Sequence, residues 1–244
     1  MNKEHRAKEF FDKTSLYLGS DYGIIIRKET INSSLNTDQF ETALDIGCGD
    51  GSISISLLDN IRALTLLDIS SNMLDIAKDS LTPEQKTKVT FINDSIDSNC
   101  IEDTQFELTI SLGLLSHVND PEKTFHRIAS LLAKNGILVI QNTDSGHWYY
   151  KLIRAYLRLS RFLRKDKYQY SFNKTTEFQL LTWFKKANLE VLSSFHYNQS
   201  FLGIGSLLSN GLKYSIIRNI FGSIDSPRNQ RLGSDGIYFL KRKE

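Results

Sequence analysis

Cysteine is scarce in this chain, with only Cys48 and Cys100 among 244 residues. So few cysteines exclude a disulfide framework and fit a reducing, cytosolic setting, so a cytoplasmic location is expected. Also missing is any run of about 18 uninterrupted apolar residues, the length that a membrane-crossing helix needs. The opening residues, Met-Asn-Lys-Glu-His-Arg-Ala-Lys, lead into an amphipathic pattern without the apolar stretch of a signal peptide. Charge of one sign is not in excess either. A formal net charge of +2 is too mild to demand a nucleic-acid partner, so any basic surface must be local. His, Cys and carboxylate residues nowhere cluster at metal-ligand spacing, so no metal is expected. No internal repeat or low-complexity tract interrupts the chain, and its length suits one sizeable α/β domain with insertions.

What is present centres on residues 41–68. A short apolar strand, 42–46, runs into three alternate glycines, Gly47, Gly49 and Gly51, then an apolar helical segment, then a second strand, 63–67, ending on Asp68. Such a strand, turn, helix, strand unit builds a nucleotide-shaped pocket at the carboxyl edge of a parallel sheet. Glycines let the backbone turn and let a ligand approach without meeting a Cβ. A helix start after Gly51 presents unpaired N–H groups. Asp45 at the strand end suits a ligand ammonium, and Asp68 suits the two hydroxyls of a ribose. The ligand implied has an amino-acid end and a nucleoside end. The glycine spacing differs from the dinucleotide fingerprint, in which two residues separate the second and third glycines.

This stretch resembles motif I of the class I S-adenosylmethionine-dependent methyltransferases, small-molecule type. The resemblance implies a Rossmann-like sheet of seven mostly parallel strands with an antiparallel last strand, helices on both faces, and helical insertions forming a lid. It implies S-adenosylmethionine as cofactor and S-adenosylhomocysteine as product. The residues it places at the cofactor are Asp45, Gly47, Cys48 and Gly49 of the loop, Asp68 and Ile69, then Asp94, Ser95 and Ile96 after a third strand, with Leu112 and Gly113 ending a fourth. Asp94 would meet the adenine amino group and Ile96 would pack on the base. Residues 113–121 resemble motif IV, where His117 faces the cleft and Asp120-Pro121 starts a helix. The absence of an Asn-Pro-Pro-Tyr type motif argues against tRNA or rRNA methylation.

The implied organisation is a single domain, 1–244. Helices in 1–36 lie over the cofactor site, a core spans 37–142, and two insertions, 144–174 and 198–232, shape the substrate pocket. Tyr17, Tyr22 and Arg27 in the first part are candidates to touch cofactor or substrate. His147, Trp148, Tyr149 and His196, at the insertion borders, are candidates for the substrate. Within the first insertion, Lys151, Arg154, Arg158, Arg161 and Lys165 fall on one helical stripe opposite Leu152, Ile153, Tyr156, Leu159 and Leu163. Such a basic amphipathic helix reads as a substrate lid, as a contact for a membrane surface or acidic partner, or as a lid with a solvated basic side.

Methyl transfer from a sulfonium needs alignment and exclusion of water more than acid catalysis. A phenol, hydroxyl or protonated amine acceptor would gain from a base near neutrality. His117 is the first candidate, with His147 and His196 as reserves. The leading reading is methylation at oxygen or nitrogen of a small apolar or aromatic acceptor. The alternatives are a lipid-like or carrier-bound acceptor delivered to the basic helix, a cofactor-binding partner protein without catalysis, and, at the level of fold, a dehydrogenase.

Overall fold

A computed structural model describes residues 8, 21–35, 37–98, 100–101, 104–164, 172–202, 205, 207–222 and 227–243. Of the helices expected within 1–36, a first one is predicted over 3–18; apart from Lys8 its residues, Tyr17 among them, lie outside these.

Helix α1, Asp21–Leu35, leads into strand β1, Phe40–Ile46, and then β2, Ile61–Asp68. Helices α2, Ser71–Ser80, and α3, Pro83–Lys86, precede β3, Val89–Asn93, and β4, Phe106–Leu112. Helix α4, Pro121–Ser130, precedes β5, Leu132–Thr143, and α5, Trp148–Arg164, follows it. The remainder is α6, Glu177–Lys186, β6, Leu189–Tyr197, α7, Asn210–Phe221, α8, Pro227–Leu232, and β7, Asp235–Arg242.

Seven strands form one sheet in the order β3-β2-β1-β4-β5-β7-β6. β1 to β5 pair in parallel, and β7 runs antiparallel to both β5 and β6. The strand order reverses between β1 and β4, so a crevice opens outside their carboxyl ends. Alternation along the central strands serves two cores. Ala43, Leu64, Leu66 and Val139 pack with α1, α2 and α7, while Leu44, Leu67, Leu138 and Ile140 pack with α4 and α6. Burial on both faces explains why these strands read as continuous apolar runs.

Local chemistry fixes the helix starts around the crevice. Ser70 caps α2 by accepting from Met73 N, and Asp120 caps α4 by accepting from Lys123 N, with Pro121 in the first turn. Thr176 and Gln179 form a reciprocal capping box on α6. Asn188 ends α6 with a positive φ of 56°.

Two sequence expectations need correction. The helical segment after Gly51 is only a single 3₁₀ turn, Ile55–Leu57. Serines alternate there with β-branched isoleucines, and Ser54 and Ser56 donate to the carbonyls of Gly51 and Ile53, competing with regular helix. The sequence also predicts that the helix begun at Asp120-Pro121 ends at Asn135-Gly136, but it stops at Ser130, because β5 already begins at Leu132. Gly136 lies inside that strand beside a register shift, where a Cβ would come within 2.9 Å of the Glu107 and Phe106 carbonyls.

Candidate functional site

The carboxyl edge of the sheet opens into a cavity of about 670 Å³. Its first half is built by the glycine loop. Gly47, Gly49 and Gly51 all hold positive φ, between 57° and 69°. Gly47 lines the cavity, and a Cβ there would reach 3.1 Å from Leu114 Cδ1. Asp68 at the end of β2 holds the loop in place: Oδ2 accepts from Gly49 N at 2.8 Å and Oδ1 from Ser70 N at 2.9 Å. Asp68 also lines the cavity, where its carboxylate can meet ligand hydroxyls. Ile69, Asp94, Ser95 and Ile96 continue this wall, with Asp94 exposed at the rim.

The middle of the cavity is the end of β4. Leu112 and Gly113 line it, and Gly113 turns the chain at φ 83° into a 3₁₀ turn, Leu114–Ser116. His117 follows and faces the cavity, its ring edge-on to Phe172 at 5.3 Å. Asn173 clips this turn to the returning chain by donating through Nδ2 to the carbonyls of Leu115 and Val118, at 2.8 and 2.7 Å. The far half is walled by α1 and α5, with Tyr22, Arg27, Tyr149, Tyr150, Ile153 and Tyr156.

Several candidates lie elsewhere. Asp45 is buried beneath the glycine loop, outside the cavity lining, and hydrogen-bonds Ser54. Burial pushes its carboxyl up to about 7, against the Ser54 bond that lowers it, with Asp68 and Asp50 adding repulsion. Cys48 is also buried outside the lining, and burial holds its thiol well above the usual range, so it is a packing group. His147 closes the start of α5: Nδ1 accepts from Tyr149 N at 3.2 Å and Nε2 meets the Arg231 carbonyl at 3.1 Å. Trp148 points outward, 56% exposed. His196 sits on the opposite face of β6, packed on Tyr238 and 3.8 Å from Glu177 Oε1, and burial lowers its pKa. The reason is strand alternation: Tyr197, one residue on, takes the cavity-side face, where it bonds Gln141.

The raised Asp45 carboxyl has a consequence for pH. Its folded pKa exceeds the unfolded value of 3.8, so the folded state holds the proton more tightly. Its stabilising contribution is fully present below pH ~4 and is lost as pH rises through about 7. Thermal melts of the ligand-free protein should therefore fall in midpoint across this window, and Asp45→Asn should flatten the fall. A midpoint equally steep in the variant would contradict this.

Some lining residues have no counterpart among the motifs of the sequence: Gln141, Asn142 and Thr143 at the end of β5, Phe172 and Asn173, Gln199 to Phe201, and Ser234 and Asp235 at the start of β7. One signal exists for the first and last groups. Parallel strands deliver their carboxyl ends to the crevice, and an antiparallel last strand delivers its beginning there.

A family model described as a methyltransferase domain matches residues 5–194, well over half of the chain. The chain belongs to this family. The methyltransferase is 26% identical over 160 residues to a ubiquinone biosynthesis O-methyltransferase of Coxiella burnetii (strain RSA 493 / Nine Mile phase I), covering 64% of this chain and 67% of that protein. It is 27% identical over 161 residues to the protein of the same description from Proteus mirabilis, covering 64% of each. Its fold matches that of a Thermotoga maritima S-adenosylmethionine-dependent methyltransferase, described as a possible histamine N-methyltransferase, with a TM-score of 0.67, 15% identity and coverage of 99% and 100%. The magnesium protoporphyrin IX methyltransferase of Synechocystis PCC 6803, solved with S-adenosylhomocysteine, gives a TM-score of 0.66 at 12% identity, with coverage of 99% and 100%. The chain thus carries a methyltransferase domain on a fold shared with enzymes that use S-adenosylmethionine. Its own site fits that cofactor: the side-chain-free approach at Gly47, the Asp68 carboxylate and the apolar Ile69 and Ile96 stand on one wall. Among the described residues, no helix is long and apolar enough to cross a membrane.

Proposed function

We propose that the enzyme methylates a hydroxyl oxygen of a small aromatic acceptor. The observation that carries this reading is a single cavity with two unlike halves. The glycine loop and Asp68 stand at one end, a slot walled by Tyr149, Tyr156 and Phe201 at the other, and His117 between them. The names of the curated relatives, O-methyltransferases of ubiquinone biosynthesis, support oxygen as the atom methylated.

When bound, S-adenosylmethionine supplies an electrophilic methyl group on a sulfonium. Asp68 holds the loop and takes ribose hydroxyls. The aromatic walls of α5 exclude water and orient the acceptor ring. His117 receives the proton released by the acceptor hydroxyl, a role for which an imidazole near neutrality is suited. The test is incubation with S-adenosylmethionine and a panel of phenols, anilines and aliphatic alcohols, with products read by mass. Methyl ethers from the phenols are expected; transfer confined to amines or aliphatic alcohols would overturn the reading.

A second reading concerns delivery of the acceptor. On the outer side of α5, Leu152 and Leu159 form an exposed apolar stripe, with Leu159 61% exposed, beside the exposed Lys151 and Arg158. Arg154 is half-buried and lines the cavity, and the Arg161 side chain lies outside those described. An apolar stripe flanked by cations suits an anionic lipid surface. Co-sedimentation with phosphatidylglycerol vesicles, absent with phosphatidylcholine and lost in Lys151→Glu/Arg158→Glu, is the expected result. Equal recovery with both lipids, or with neither, would remove the membrane reading.

A further inference from the structure

The floor of the far half of the cavity is polar, and its hydrogen-bonding capacity is lopsided. Gln141 is only 3% exposed, and its Nε2 donates to the Tyr197 hydroxyl at 3.2 Å. Its Oε1 lies buried without a partner among the described residues. Close by, Asp235 at the start of β7 is buried as well. Its Oδ1 accepts from the Thr143 hydroxyl at 2.6 Å, and its Oδ2 accepts from Gln199 N at 2.9 Å and from the Ser234 hydroxyl at 3.2 Å. Oδ1 therefore retains one acceptor position. Even with those three donors and the nearby Arg27, burial still holds the Asp235 carboxyl above its ordinary range.

Most donors around this floor are already engaged. Tyr22 donates to the Gln199 carbonyl at 2.6 Å, and Tyr149 to the Ser200 carbonyl at 2.7 Å. Arg27 donates to Gln199 Oε1 at 2.9 Å. Burial raises the pKa of Tyr22, Tyr149 and Tyr197, so all three stay as hydroxyls near neutral pH. Two acceptors at this floor keep hydrogen-bonding capacity, the buried Gln141 amide oxygen and a lone pair of the Asp235 carboxylate. Leaving a buried acceptor unmade costs about 1–3 kcal/mol, so such a group in a ligand cavity points to a ligand donor.

We propose that Gln141 Oε1 and Asp235 form the polar subsite of the methyl acceptor, and that it selects molecules carrying a neutral O–H or N–H donor in addition to the atom that is methylated. A neutral donor fits better than an ammonium, because the Arg27 guanidinium lines the same cavity and would meet an ammonium with like charge. This inference rests on the small aromatic acceptor proposed above and narrows it. Gln141 and Asp235 are binding residues here, on β5 and β7, separated from Asp68 on β2 by β1 and β4.

Simple diols serve as probes whatever the natural acceptor. Catechol, resorcinol and hydroquinone are titrated beside their dimethyl ethers into protein saturated with S-adenosylhomocysteine. At least one diol should bind about tenfold tighter than its ether, the worth of one well-placed hydrogen bond. Gln141→Met should reduce that preference to about threefold or less while leaving S-adenosylhomocysteine affinity unchanged. Crystals soaked with the tighter diol should show an O–H within hydrogen-bonding reach of Gln141 Oε1 or Asp235 Oδ1. Ethers that bind as tightly as the diols would overturn this subsite and leave the small aromatic acceptor standing. Failure of every diol and ether to bind, with S-adenosylhomocysteine still binding, would overturn both.

Discussion

Replacing Asp68 with alanine is expected to weaken S-adenosylhomocysteine binding about a hundredfold, the effect of losing two charge-assisted hydrogen bonds. The size of the loss follows from the two tasks of this carboxylate. It takes the amide protons of Gly49 and Ser70, and so fixes both the glycine loop and the start of α2, and it also faces the cavity. Alanine would leave two backbone donors without their acceptor and remove the lone pairs offered to the ligand. Asp68→Asn keeps the volume but puts an amide N–H against one of those donors, so its loss should approach that of alanine. Calorimetric titration of folded variants measures both. Wild-type affinity in Asp68→Ala would mean that the carboxylate serves the loop alone and that the ribose is held elsewhere.

The second large effect concerns turnover. His117→Ala should lower the rate of methyl transfer to a phenolic acceptor by about a hundredfold or more, the usual range for a positioned base, with cofactor affinity unchanged. The geometry behind this is the short path from β4 through Gly113 and the 3₁₀ turn, pinned by Asn173 to the Leu115 and Val118 carbonyls. Because the turn is held by backbone contacts, removing the imidazole should leave it in place. The pH dependence separates a base from a packing group. In the wild type the rate should rise as the imidazole loses its proton, and that limb should vanish in His117→Ala and in His117→Gln. A rate close to wild type across pH would assign His117 to packing against Phe172.

How much of this is legible in the sequence depends on how local the determinant is. The glycine loop, the acid ending β2 and the Asp-Pro start of α4 are each set by a few adjacent residues, and their neighbours in space are their neighbours along the chain. The seven-stranded sheet with its antiparallel last strand is what the resemblance carried by those motifs implies, and the sheet has that form. The acceptor floor is different. Gln141 and Asp235 line one cavity because β7 inserts between β5 and β6 in reverse, pairing Thr143 with Asp235 and Asn142 with Gly236. No short-range pattern announces that pairing. His196 shows the opposite failure: a histidine beside an insertion suggests a site residue, and a one-residue alternation along β6 turns it toward Tyr238 and Glu177. The place of Asp45 at a strand end suggests a contact with a ligand ammonium, yet the loop folds over it and leaves it bonded to Ser54.

The two halves of the cavity also explain why the exposed surface of α5 and the polar floor can be tested apart. Tyr149 and Ile153 belong to the wall, Lys151 and Leu152 to the outside. Variants on the outside change delivery of an acceptor, whereas Gln141 changes which acceptor fits.

The most direct measurement is parallel calorimetric titration of the purified enzyme with S-adenosylmethionine, S-adenosylhomocysteine and NADH. The account predicts saturable one-to-one binding of the two adenosyl ligands, lost or strongly weakened in Asp68→Ala, and no heat with NADH. Binding of NADH in their place, or adenosyl binding indifferent to Asp68, would contradict it.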